Sequence, residues 1–157
     1  MVLPAQAGPA HTGAGEPVPG LDREIAYWLG ELVPRANWVF PPAIERAISR
    51  NPSLGIRLDA LAVQSFHRGV VEIIGDPLFG DLSALGPLVG ARFALLPVAV
   101  DYVTEESGDG RVEVQAALID TRGGRVMWFG IVAGDRAPQG PQATASAARA
   151  LASLFAT

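Results

Sequence analysis

Few residues in this chain could do chemistry, and they are scattered. The histidines are His11 and His67. They lie far apart, without an H-x-x-x-H spacing and with no cysteine in the chain, so they form no recognisable metal set. Glu105 and Glu106 are adjacent carboxylates. Glycoside hydrolysis needs two carboxyls facing one bond across roughly 5–10 Å, whereas neighbours in a polar, glycine-bearing loop point into water. Asp101 interrupts an apolar run and marks where a strand leaves the core. Gly75-Asp76-Pro77-Leu78-Phe79-Gly80 lacks the lysine and Ser/Thr of a phosphate-binding loop. Ser49, Ser53, Ser65 and Ser83 lack the G-x-S-x-G elbow, and no serine–histidine–acid set can be assembled. The sequence therefore predicts no catalytic residue, no cofactor and no metal ligand.

Binding is the better-supported chemistry. Tryptophan is enriched at interaction hot spots, and the chain has Trp28, Trp38 and Trp128. Trp38 and Trp128 sit among apolar neighbours and read as core. Trp28 lies at the edge of a helix's apolar stripe and is the candidate anchor. Arg111, Glu113 and Gln115 alternate with apolar residues and form the polar face of a strand, a second candidate surface.

The elements that must position these residues centre on 92–134. Arg92–Val103 is apolar on both alternating sets, as in a strand buried on both sides. Pro97 within it predicts an edge position or a bulge. Val112, Val114, Ala116 and Leu118 alternate with Arg111, Glu113 and Gln115, a half-buried antiparallel strand. In the third strand, Arg125–Ala133, Val126, Trp128 and Val132 alternate with Met127, Phe129 and Ile131, and Gly130 predicts a bulge or a close neighbour. Loops at 105–110 and 120–124 carry turn residues. Helices are predicted at 22–33, from Pro41 to about Arg50, at 81–89 and at 143–155, with Asp22 and Asp81 as caps. Val70, Val71, Ile73 and Ile74 read as a short strand or helix end. The order predicts an α+β fold, a mainly antiparallel sheet built on a three-stranded meander with helices packed on one face.

Composition bounds the rest. One domain fits 157 residues. Residues 1–20, rich in proline, glycine and alanine, predict a disordered lead, and 21–157 the single domain. Ala5-Gln6-Ala7 before Gly8 has the small-x-small form of a signal-peptidase site, which would make Met1 an internal start in a longer precursor. The net charge is −4, from 16 acids and 12 bases, and every base is arginine. Without a basic cluster, nucleic acid is not an expected partner. No apolar run reaches the roughly 18 residues of a membrane span.

Residues 82–157 resemble a bacterial envelope module. A helix ending in Gly90-Ala91 leads into the run RFALLPVAV, and a later hairpin reads Asp120-Thr121-Arg122-Gly123-Gly124-Arg125-Val126-Met127-Trp128. This is similar to the domain shared by the TolB N-terminal part, the curli secretion lipoprotein and lipoprotein activators of penicillin-binding proteins. Asp120, Thr121, Gly124, Val126 and Trp128 carry the match; Gly123 replaces the usual threonine, and the lipidation cysteine is absent. The resemblance implies a non-catalytic, periplasmic or exported protein-interaction module with an envelope protein as partner. Self-association is compatible with it, and a cytoplasmic location is the alternative. The competing reading is a small-ligand-binding or enzymatic domain. Its pocket would lie between the first-half helices and the sheet, lined by Arg68, Asp76, Arg92 and Asp101.

Overall fold

A computed structural model describes residues 1–10, 16–106 and 108–156. The elements run α1 (Leu21–Leu32), α2 (Pro41–Ser49), short 3-10 turns at Pro52–Leu54, Leu58–Ala60 and Gln64–His67, α3 (Leu78–Val89), β1 (Phe93–Val103), β2 (Arg111–Asp120), β3 (Arg125–Ala133) and α4 (Pro141–Ser153). The strands pair antiparallel in the order β1-β2-β3. The fold is α+β, built on the predicted meander.

Two bulges shape the sheet. Pro97 lies opposite Ala116 and Ala99 opposite Gln115, so Val98 is the extra residue. Leu95, two residues earlier, donates its N–H away from β2 to Met1 O at 2.9 Å. Pro97's missing N–H therefore falls on that outer side and costs the β1–β2 ladder nothing. In β3, Trp128 lies opposite Leu118 and Val126 opposite Ile119, leaving Met127 extra. Val126 thus shares a face with Phe129, where uninterrupted alternation would place it with Trp128. Gly130 has a close neighbour: a Cβ there would stand 2.8 Å from Trp128 Cζ2.

Helices cover both faces, where the sequence order predicts one. Leu96, Val98, Ala117 and Ile119 pack against Ile44 of α2, Phe66, and Leu82 and Leu85 of α3. Leu95, Val100, Val114 and Ala116 pack on the opposite face against Leu21, Ile25 and Leu29 of α1 and Ala147 and Leu151 of α4. The cause is the double-sided apolar character of β1, which leaves neither face able to meet water. Gly86 lets α3 close on the meander, because a Cβ there would lie 2.6 Å from Thr121 Oγ1 and 2.9 Å from Ala91 O.

The beginning of the chain departs from the predicted disordered lead. Met1, Val2, Leu3 and Gln6 are buried, and residues 1–6 lie along the outer edge of β1, with Val2 in a parallel bridge to Leu95. Leu3 and Gln6 donate their N–H groups to Leu95 O and Pro97 O at 2.9 and 3.0 Å. The Met1 amine donates to Phe93 O at 2.7 Å, while two donors point outward and are also used: Val2 N–H reaches Val39 O at 2.8 Å, and Ala5 N–H reaches Asp22 Oδ1 at 2.8 Å. Pro4 has no N–H to place. The Gln6 side chain ties the segment to the first-half turns. It donates to Leu58 O at 2.8 Å and accepts from Leu61 N–H at 3.0 Å.

Candidate functional site

The surface with the most unsatisfied binding capacity is the outer edge of β3. One side of this strand is paired with β2. On the other, only its first residues are engaged: Val126 N–H donates to Glu72 O and Gly124 O accepts from Ile74 N–H, both at 2.8 Å. No further bridge touches this side among the described residues. Gly134 N–H points inward to Val112 O. In an antiparallel ladder the orientation alternates, so Phe129, Ile131 and Ala133 turn their N–H and C=O groups outward. From Val126 to Gly134 there is no charge and no proline, two of the features that ordinarily protect an edge; a third, the bulge at Met127, lies ahead of the 129–133 stretch. Side chains along it are apolar and open to solvent: Ile73, bridged to Arg125, is 69 % exposed, Ile131 64 % and Met127 52 %.

The hairpin that presents this edge is held by its turn. Asp120 Oδ1 accepts from Arg122 N–H at 3.0 Å and its Oδ2 meets Arg92 Nη2 at 3.1 Å. The backbone bond first, then the Arg92 guanidinium, hold the Asp120 carboxyl below the usual carboxylate value. The buried Thr121 hydroxyl donates to Arg92 O at 2.8 Å. Gly124 closes the turn at φ +70°, and a Cβ there would meet Phe79 and Ile74 at 3.0 and 3.1 Å.

Arg111, Glu113 and Gln115 form one half-buried strip on β2, with Arg111 Nη2 2.9 Å from Glu113 Oε1. Gln115 lies opposite Ile131 and Glu113 opposite Ala133, so the strip adjoins the β3 edge. Trp28 is placed elsewhere, on the α1–α4 side. It is half-buried, packed edge-on against Tyr27 at 5.2 Å and covered by the Arg149 guanidinium at 5.2 Å. Its indole N–H is buried without a partner among the described residues. Met127, Ile131, Val70 and Ile73 were not evident in sequence as surface residues, because their apolar character reads as core. The missing gatekeeper charges in β3 were the available signal.

The remaining candidates are positioned as structure. His67 Nε2 lies 2.8 Å from Val98 O, and His11 lies outside the described residues. Glu105 pairs with Arg136. Arg68, Asp76, Arg92 and Asp101 make no ion pair with one another among the described residues; Arg92 serves Asp120, and Asp76 Oδ1 accepts from Gly80 N–H at 3.0 Å. A groove of about 450 Å³ does open between the post-α1 loop and the sheet, lined mainly by Trp38, Phe93, Leu95, Leu118, Met127 and Phe155. No helix among the described residues is long and apolar enough to cross a membrane.

No family model matches the chain, and no curated protein matches it. Solved structures that resemble it include two PelC dodecamers from Paraburkholderia phytofirmans. One, a single-residue variant, has a TM-score of 0.44 and 17% identity, covering 99% of this chain and 83% of that chain. The other, in a second crystal form, has a TM-score of 0.44 and 14% identity, covering 99% and 81%. At that distance, function and assembly have to be argued from this chain's own residues.

Proposed function

We propose that the chain is a non-catalytic protein-interaction module of the cell envelope. Its working surface is the β3 edge together with the adjoining strip of Arg111, Glu113 and Gln115. The observation that carries this reading is the unpaired stretch of β3 flanked by exposed Ile131 and Met127. Strand addition at such an edge takes affinity from main-chain hydrogen bonds and specificity from alternate side chains. The hairpin resemblance at Asp120, Thr121, Gly124, Val126 and Trp128 supports an envelope location, periplasmic or exported.

A photo-crosslinking residue at Gln115 in the full-length gene product, expressed in its own host, tests the reading. Capture of an envelope protein at Gln115, with none at Arg23 on the exposed side of α1, is expected. Recovery of the full-length product in the cytoplasm, or equal capture at both positions, overturns it. The groove beside Trp38 favours a second reading, a site for a small apolar ligand. It predicts that a solvatochromic apolar dye binds with quenching of tryptophan emission, and that Leu118→Trp, which fills the groove, abolishes the effect.

A further inference from the structure

We propose that the occupant of the β3 edge is a second copy of the chain, paired antiparallel about a two-fold axis at Ile131. This rests on the edge being the interaction surface and adds the identity of what sits there. The first argument is hydrogen-bond parity. Phe129, Ile131 and Ala133 are the residues with outward backbone groups, and they are symmetric about Ile131. Antiparallel pairing on that centre sets Ile131 against the second copy's Ile131 and Phe129 against the second copy's Ala133. Every outward N–H and C=O from 129 to 133 then finds a partner. Ile131 would be a hydrogen-bonded pair with its Cα atoms about 5.5 Å apart.

The second argument is charge. The two ends of the edge carry opposite sign. Beside its start, Arg122 and Arg125 take part in no ion pair among the described residues and outnumber exposed Glu72. At its finish, Glu113 and Arg136 are neutralised by Arg111 and Glu105, whereas Asp135 is held by hydrogen bonds to Ser146 alone, at 2.7 and 3.0 Å. Antiparallel pairing brings the arginine end of one copy to the Asp135 end of the other; parallel pairing would set like against like. The third argument is exposure. Ile131, 64 % exposed, sits on the axis and would lose water to its counterpart, an isologous contact in which one patch serves both copies.

The chain has no cysteine, which makes the test clean. In Ile131→Cys the symmetric pair would fall within the roughly 4.4–6.8 Å Cα range of a disulfide. Under mild oxidation this variant is expected to convert almost completely to a covalent dimer, and Arg23→Cys to remain mostly monomeric. Wild-type protein at submillimolar concentration is expected to show twice the monomer mass by light scattering. Ile131→Glu should return it to monomer with an unchanged circular dichroism spectrum. Asp135→Arg should weaken the dimer several-fold at low salt, and Arg125→Asp added to it should restore the loss. Wild type that stays monomeric, or Ile131→Cys that crosslinks no faster than Arg23→Cys, overturns self-pairing. Capture of an envelope protein at Gln115 alongside that failure would leave the interaction module standing and remove only the second copy as its occupant.

Discussion

Asp22 shows how one side chain can serve the fold and strain it together. Its carboxylate accepts the Ala5 N–H at 2.8 Å, fixing the first residues against α1. Burial, first, pushes its carboxyl above the ordinary value of 3.8; the Ala5 bond opposes this, while Glu16 and Glu45 add to it. The folded chain therefore holds this proton to higher pH than the unfolded chain does. Stability from this group is fully present below 3.8 and is lost as pH rises through the raised folded value. Asp22→Asn keeps an oxygen for Ala5 and removes the charge. It is expected to leave stability unchanged near pH 3 and to raise it modestly at pH 7, read by urea denaturation at both pH values. Greater destabilisation at pH 7 than at pH 3 would contradict this. Gln6 is the opposite case, a buried neutral group whose bonds are all made. Gln6→Leu leaves Leu58 C=O and Leu61 N–H without partners, and a loss of roughly 2–4 kcal/mol is expected from the same measurement.

At the scale of elements, what the sequence makes visible follows from range. The strands of the meander and all four helices are legible, because period-2 and helical periodicities are local signals. The predicted caps are not borne out: Asp22 and Asp81 lie inside the first turns of α1 and α3, whose N-caps are Gly20 and Pro77 without a side-chain bond. Pro97 correctly announced a bulge. Met127 could not be recognised as one, because the alternation VMWFGIV runs through it unbroken and only the pairing partners Leu118 and Ile119 reveal the slip. Residues 1–6 were misread for the same reason. Their parallel partner, Leu95, is some ninety residues away, and a composition rich in proline and alanine carries no trace of a non-local ladder. Of the candidate surface, Arg111, Glu113 and Gln115 were found by their polarity. The apolar half was hidden, since exposed Ile131 and buried Ile119 look alike in a sequence.

For the whole molecule, the sheet is shared by two apolar layers, and β2 illustrates it with Ala116 facing one and Ala117 the other. Trp28, Trp38 and Trp128 all pack in the α1–α4 layer, so tryptophan emission reports one layer and far-ultraviolet circular dichroism both. Leu82→Ala in one layer and Leu151→Ala in the other should each cost about 2–5 kcal/mol. In both variants the two signals should still fall in one coincident urea transition, because neither layer keeps its sheet without the other. A fluorescence transition left unmoved by Leu82→Ala would show the layers to be independent.

The strand formed by residues 1–6 has a consequence for growth. Val2 and Ala5 spend their outward N–H groups on Val39 and Asp22, and Pro4 has none. The Phe93–Pro97 half of the β1 edge is therefore covered, whereas β3 from Phe129 to Ala133 is open among the described residues. In the language of polymer chemistry residues 1–6 are a blocking group on one of the two ends at which a sheet can add strands. Growth is directed to β3, where an antiparallel pair is a terminated product. Removing the blocking group would give the unit a second reactive end, and chain-growth assembly would follow.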